Sequence, residues 1–164
     1  MKRMALLIIG CMLVGTMSAQ DLVANFLKKF EKETEFSIVN ISPKMFELIS
    51  VMADDEEEEG ILKKLTGLKV ISTEKNAGKY YKEASRMLAS SDHEELMSVV
   101  DGTDNVQMFV KEKKKGLISS LIITIQEPDE FTMIGITGEI DLKQLSTISK
   151  TLNIDKLDKI DNLE

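Results

Sequence analysis

Apolar residues recur at helical spacing in the first half of the chain and at every second position in the stretch after Glu94. That change of period sets the architecture. Leu22, Val23, Phe26, Leu27 and Phe30 form one stripe, with Lys28, Lys29, Lys32 and Glu33 opposite. The pattern predicts an amphipathic helix over 22–34 with Asp21 as its N-cap. Residues 36–41 are short and β-rich, a predicted strand. Ser42-Pro43 then signals a helix start, and Met45, Phe46, Leu48, Ile49 and Met52 keep helical spacing as far as Ala53. The acidic run 54–59 reads as a solvated loop leading into a helix that carries Ile61, Leu62 and Leu65 and ends at Gly67, with the acids favourably placed at the positive end of its dipole. A strand over 68–73 and a helix over 77–91 follow. In that helix Tyr80, Tyr81, Ala84, Met87 and Leu88 point to the core, with one tyrosine at its rim.

From Glu94 onward the spacing predicts strands over 95–100, 105–112, 117–126 and 130–140, separated by Asp101-Gly102, by 113–116 and by Glu127-Pro128-Asp129. Val106, Met108 and Val110 share one face of their strand, as do Leu121, Ile123 and Ile125 of the next. Asp141 is placed to cap a last helix carrying Leu142, Leu145, Ile148 and Leu152, and the tail adds Ile154, Leu157, Ile160 and Leu163. Strands this close in sequence pair antiparallel. The expected fold is α+β: a mostly antiparallel sheet, built of a C-terminal four-strand meander plus one or two N-terminal strands, with helices packed on one face. Gly135 and Gly138 lie inside a strand, so they mark a bulge or a close backbone approach and not a dinucleotide loop.

The first twenty residues follow different rules. Lys2 and Arg3 precede the apolar run Met4–Val14, and small residues surround Ser18 and Ala19. This anatomy predicts a signal peptide over 1–20, cleaved near Ala19 or Gln20, and a single α+β domain over 21–164. The apolar run falls short of the ~20 residues that span a bilayer. Ile8-Ile9-Gly10-Cys11 also matches a lipid-attachment motif, yet apolar Met12, Leu13 and Val14 follow it where a polar tether belongs. Membrane attachment is therefore expected only if Cys11 is lipidated. The expected location is exported, periplasmic or envelope-associated.

Composition narrows the chemistry. The chain carries 21 basic and 28 acidic residues, and losing Lys2 and Arg3 with the leader takes the net charge from −7 to −9. Such a surface argues against nucleic acid, whose phosphates call for clustered Lys and Arg. Cys11 is the only cysteine, so the mature domain has no disulfide and no thiolate chemistry. The ten methionines are read as gap-filling core. The acidic run lacks the alternating donors and the turn Gly of a calcium loop. His93 is the only histidine and lies in Ser90-Ser91-Asp92-His93-Glu94-Glu95. Members of a catalytic triad come from separated parts of a fold, so His93 is expected as an exposed residue at a helix-to-strand junction. One His without Cys does not make a zinc site. The cluster Lys111–Lys115 is expected to keep a hairpin tip soluble. No catalytic, metal-ligating or cofactor-binding residue is nominated, and no cofactor is expected.

Several segments together resemble a known family. They are Val39-Asn40-Ile41-Ser42-Pro43-Lys44-Met45-Phe46-Glu47-Leu48, the acidic stretch, the strand from Leu68 to Thr73 before Tyr81-Lys82-Glu83-Ala84, and Gly138-Glu139-Ile140-Asp141-Leu142 with Leu145-Ser146 and Leu152-Asn153-Ile154. Their order over nearly the whole mature chain resembles the small exported bacterial proteins of domain of unknown function family 4252. The resemblance implies no activity and no functional residues. It carries one hint of role, an association with extracytoplasmic sigma factors and thus with envelope stress. The expected function is that of a non-enzymatic module binding a protein or peptide partner in the envelope. The alternatives are a lipid-anchored regulator of a stress pathway, or a carboxylate-dependent hydrolase of envelope sugars or peptides.

Overall fold

A computed structural model describes residues 18–33, 35–114 and 116–144. The apolar leader with Cys11, and the helical pattern beyond Gln144, lie outside the described residues.

The first helix, α1 (Ala19–Phe30), starts earlier than its apolar stripe predicts. Ser18 and not Asp21 is the N-cap. Its hydroxyl accepts from the Asp21 amide, and the Asp21 carboxylate accepts from the Ser18 amide at 3.0 Å, a capping box that satisfies two otherwise orphaned donors. Strand β1 (Ser37–Ile41) leads through the N-cap Ser42 into α2 (Pro43–Ser50). Of the acidic run, Asp54 and Asp55 precede the next helix and the four glutamates belong to it. Asp55 caps α3 (Glu56–Lys64), and four glutamates fill its first turn while Lys63 and Lys64 close its last, matching charge to dipole at both ends. Strand β2 (Leu65–Thr73) begins at once, so Gly67 lies within a strand and does not terminate the helix. Helix α4 (Ala77–Ala89) precedes β3 (Glu94–Asp101), β4 (Asp104–Lys114), β5 (Leu117–Gln126) and β6 (Phe131–Ile140). A short 3-10 turn, Leu142–Gln144, starts with the Lys143 amide bonded to the Asp141 carboxylate, as an Asp cap would arrange it.

The six strands form one sheet in the order β1-β2-β6-β5-β4-β3, antiparallel at each pairing. The last four are the expected meander, and both N-terminal strands join it through β2 on β6. The fold is α+β with an antiparallel sheet, as the pattern predicts. The placement of the helices is different: they cover both faces. Leu121 and Ile123 point to one side and Ile122 to the other, and all three are wholly buried. A strand buried on both faces needs cover on both, and the unbroken apolar run in β5 is its sequence sign.

On one face α1 and α4 lay Leu22, Val23, Phe26, Tyr80, Ala84 and Leu88 over Ile71, Phe109, Ile122, Phe131 and Met133. Phe26 is the hub, with ring centroids 4.9 Å from Phe30, 5.4 Å from Phe131 and 6.3 Å from Tyr80. Gly135 lets α1 approach β6, since a Cβ there would sit 2.8 Å from a Val23 methyl. On the other face Phe46 of α2 and Ile61 and Leu62 of α3 join an aliphatic cluster with Leu68, Leu121, Ile123, Ile134 and Ile136.

Candidate functional site

One end of the sheet departs from regular pairing. Register shifts occur at Leu65/Gly67 between β2 and β6, at Ile118/Ser120 between β5 and β6, on both sides of Glu112 between β4 and β5, and at Glu95/Met97 between β3 and β4. These positions face one another across the antiparallel strands, so the irregularities form a belt across four pairings. Bulges bend strands and re-aim side chains, and here they open the sheet end. Gly138 belongs to the same belt. Its φ of +142° is a glycine conformation, and a Cβ there would lie 2.3 Å from the Lys64 carbonyl oxygen, so β6 passes directly under the α3–β2 junction.

The opened end holds a cleft of about 590 Å³. Lys64 enters it from the last turn of α3, Lys111 and Lys113 from β4, and Ser18 with Gln20 from the start of α1. Hydroxyls from three strands line it further: Thr66 of β2, Ser119 and Ser120 of β5, and Thr137 of β6. Thr66 donates to Thr137 at 3.1 Å, and Ser119 to the Lys111 carbonyl at 3.0 Å. Glu139 is the one acid on the lining, and it is exposed.

His93 packs at this end and is buried, not exposed as the sequence suggests. Its Nε2 lies 2.7 Å from Ser120 Oγ, its amide donates to Ser91 Oγ at 3.2 Å, and its Nδ1 stands 3.4 Å from Asp92 Oδ1. The other Asp92 oxygen pairs with Lys111. Burial lowers the imidazole pKa against the smaller opposing pull of Asp92, so the ring is neutral near pH 7. The Lys111 hydrogen bond holds Asp92 below the ordinary carboxylate range. Adjacent residues in one loop thus converge on Ser120 after all, in the order acid, imidazole, hydroxyl. Ser120, however, is 1% exposed inside a strand paired on both sides, with Lys111 and Thr137 as its neighbours across the ladders. A nucleophile must reach a substrate carbonyl, and this hydroxyl is placed to hold the imidazole.

A second region is built differently. Helix α2 buries Phe46 and leaves Met45 and Leu48 exposed. It ends at Ser50, short of the Ala53 that the apolar spacing predicts, and Val51 and Met52 in the turn beyond it are exposed too, Met52 at 82%. Beside it β1 is a sheet edge with no charged residue, and Ile38 and Val39 are more than half exposed. Val39 pairs with Val70, which packs on the α2 side of the sheet, so it shares the face that α2 covers. The six acids of residues 54–59 follow this surface along the chain, separated from the end of α2 by three residues. The opposite edge, β3, is guarded by Glu94, Glu95 and Asp101 and by a bulge.

The sequence pattern finds these regions unevenly. The tyrosines fall as expected, Tyr80 in the core and Tyr81 at its rim. Of the basic cluster, Lys111 and Lys113 line the cleft, and Lys115 lies outside the described residues. Lys64, Thr66, Ser120 and Thr137 carry no motif. Their one signal is the adjacent polar pair Ser119-Ser120 inside a mainly apolar strand. No group of metal ligands occurs among the described residues, and no described helix is long and apolar enough to cross a membrane.

An antiparallel six-strand α+β domain with a bulged cleft end is the class these observations define. Residues 30–148 match the family described as Domain of unknown function (DUF4252), and the chain belongs to it. No curated protein matches the chain.

Proposed function

We propose that this is an exported, non-enzymatic envelope module that binds an apolar segment of a partner protein flanked by Lys or Arg. The observation that carries the reading is the outward side of α2. Met45 and Leu48, with Val51 and Met52 just beyond the helix, expose apolar side chains that are not part of the core, and exposed apolar patches on small domains mark contact sites. Charge complementarity selects the partner, because the acids of 54–59 follow the patch along a chain of net charge −7. The uncharged edge β1 adds free backbone against which an extended segment can pair. A photo-crosslinking residue at Leu48 or Met52, in cells that make the protein, is expected to give a discrete adduct whose cross-linked peptide is apolar with basic flanks. The same probe at Lys82, exposed on α4 over the other face, is expected to give none. Equal adducts from both probes, or adducts only with a second copy of the chain, contradict the reading.

The non-enzymatic part is supported by Ser120, which is the hydroxyl nearest the imidazole and is closed off in its strand. A fluorophosphonate probe is expected to leave it unlabelled, and labelling that His93→Gln abolishes overturns this part. Export is supported by Lys2, Arg3 and the run Met4–Val14. Because Ser18 caps α1 and Ala19 is wholly buried, a cut after Ala19 would remove a cap and a core methyl. Mass spectrometry of the secreted chain is expected to find its N-terminus at or before Ser18, which keeps the cap. A chain that keeps Met1 in the cytoplasm removes the proposal of export.

A further inference from the structure

We propose that the cleft at the bulged end of the sheet binds a phosphate-bearing small molecule, independently of the α2 surface and with none of its residues. The first ground is charge. On a chain of net charge −7, this cleft gathers three ammonium groups, Lys64, Lys111 and Lys113, against one lining carboxylate, Glu139. Lys111 is paired with Asp92. Lys64 and Lys113 form no ion pair among the described residues, so two unpaired cations share one concave surface with the single carboxylate of Glu139.

The second ground is the donor set. Ser18, Thr66, Ser119, Ser120 and Thr137 line the cleft with hydroxyls whose protons are engaged within the protein: Ser18 donates to Asp21, Thr66 to Thr137, Thr137 to the Gly67 carbonyl and Ser119 to the Lys111 carbonyl, and Ser120 holds His93. The donors left for an anion are the ammonium groups of Lys64 and Lys113 and the first amides of α1. The amides of Ala19 and Gln20 open α1 ahead of its first internal bond, Leu22 to the Ser18 carbonyl. These donors come from α1, α3 and β4, and none of them is a planar fork. Planar carboxylates are best read by the fork of Arg, and no Arg lines this cleft. Lys acts on phosphate as a point charge and tolerates a three-dimensional arrangement of oxygens. Three lysines against Asp92 and Glu139 leave one net positive charge, and a phosphomonoester, with close to two negative charges at pH 7, can engage both Lys64 and Lys113. The volume, about 590 Å³, lies within the range of small-molecule sites and exceeds what a bare phosphate fills.

The third ground is construction. Glycine at 138 brings β6 under Lys64, and every register shift among the described strand pairs falls at this end. Regular pairing would close the space; the bulges keep it open.

The test is an amide-resolved NMR titration of the secreted protein with inorganic phosphate, with glycerol 3-phosphate, and with phosphatidylglycerol vesicles, each against sodium chloride of equal ionic strength. Saturable shifts at Ser120, Thr137 and Gly138 with glycerol 3-phosphate are expected, weaker ones with inorganic phosphate. The double variant Lys64→Ala/Lys113→Ala removes two exposed side chains and is expected to lower the affinity at least ~10-fold while leaving the spectrum of the core unchanged. Shifts that chloride reproduces, binding equal in the variant, or a response to vesicles alone would each overturn the proposal. None of these outcomes bears on cross-linking from α2, so the two readings fail separately.

Discussion

The two faces of the sheet are covered by helix pairs of different kinds. Over the first, α1 and α4 bury an aromatic cluster, and Lys29 reaches across from α1 to Glu83 of α4 at 3.0 Å. Over the second, α2 and α3 bury only Phe46, Ile61 and Leu62 and turn a row of large apolar residues outward. The first arrangement leaves little apolar surface unspent and makes the fold. The second withholds surface from the core, which is expected of a helix that meets something else. Perturbing the first face should therefore cost stability, and perturbing α2 should cost binding.

The largest effect is expected from Phe26→Ala, which empties the hub of the aromatic cluster. It should destabilise by roughly 3–5 kcal/mol in urea unfolding; a loss under ~1 kcal/mol would mean the aromatic face is not the stabilising one. Gly138→Ala comes next, at roughly 2 kcal/mol, since its Cβ meets the Lys64 backbone and its φ is positive. A glycine needed only for flexibility would cost less than the ~1 kcal/mol of an ordinary propensity change.

The His93→Gln variant probes pH. Burial holds the folded imidazole below its ordinary value of 6.5, so on acidification the unfolded chain takes up the proton first. Stability is complete above pH 6.5 and declines as the pH falls toward the folded pKa. Melting curves between pH 7.5 and pH 5 should show that decline in the parent and a shallower one in the variant; parallel slopes would place the acid sensitivity elsewhere. Ser18→Ala, removing the α1 cap, should cost about 1 kcal/mol, and a neutral result would show that α1 is held by packing alone. Smallest of all should be Leu48→Lys with Met52→Lys, within ~0.5 kcal/mol of the parent, while the partner adduct disappears. Unfolding by this pair would mean that α2 is core and not surface.

Much of the fold is written locally. The Ser42-Pro43 start, the period-two strands and the burial of Tyr80 against its neighbour Tyr81 follow from spacing and propensity. The misreadings are each instructive. The acids of 54–59 are expected to favour the positive end of the following helix dipole, and they do; what the spacing misplaces is the helix start, which takes in Glu56–Glu59 as its first turn. Asp21 looks like a cap because Asp favours that position, and the true cap Ser18 is hidden inside what reads as the end of the leader. His93 looks exposed because its neighbours are charged. Its burial depends on Ser120, 27 positions away, and no spacing rule reaches that far.

By itself the sequence determined the α+β class, the antiparallel meander and the elements that compose them, because periodicity and turn chemistry act over a few residues. Only the tertiary structure decided that helices cover both faces, that the bulges line up into a cleft, and that Lys64, Lys113 and Ser120 meet there. Each of these depends on register between distant strands, and register is fixed by the packing of the whole sheet, not by any segment of it.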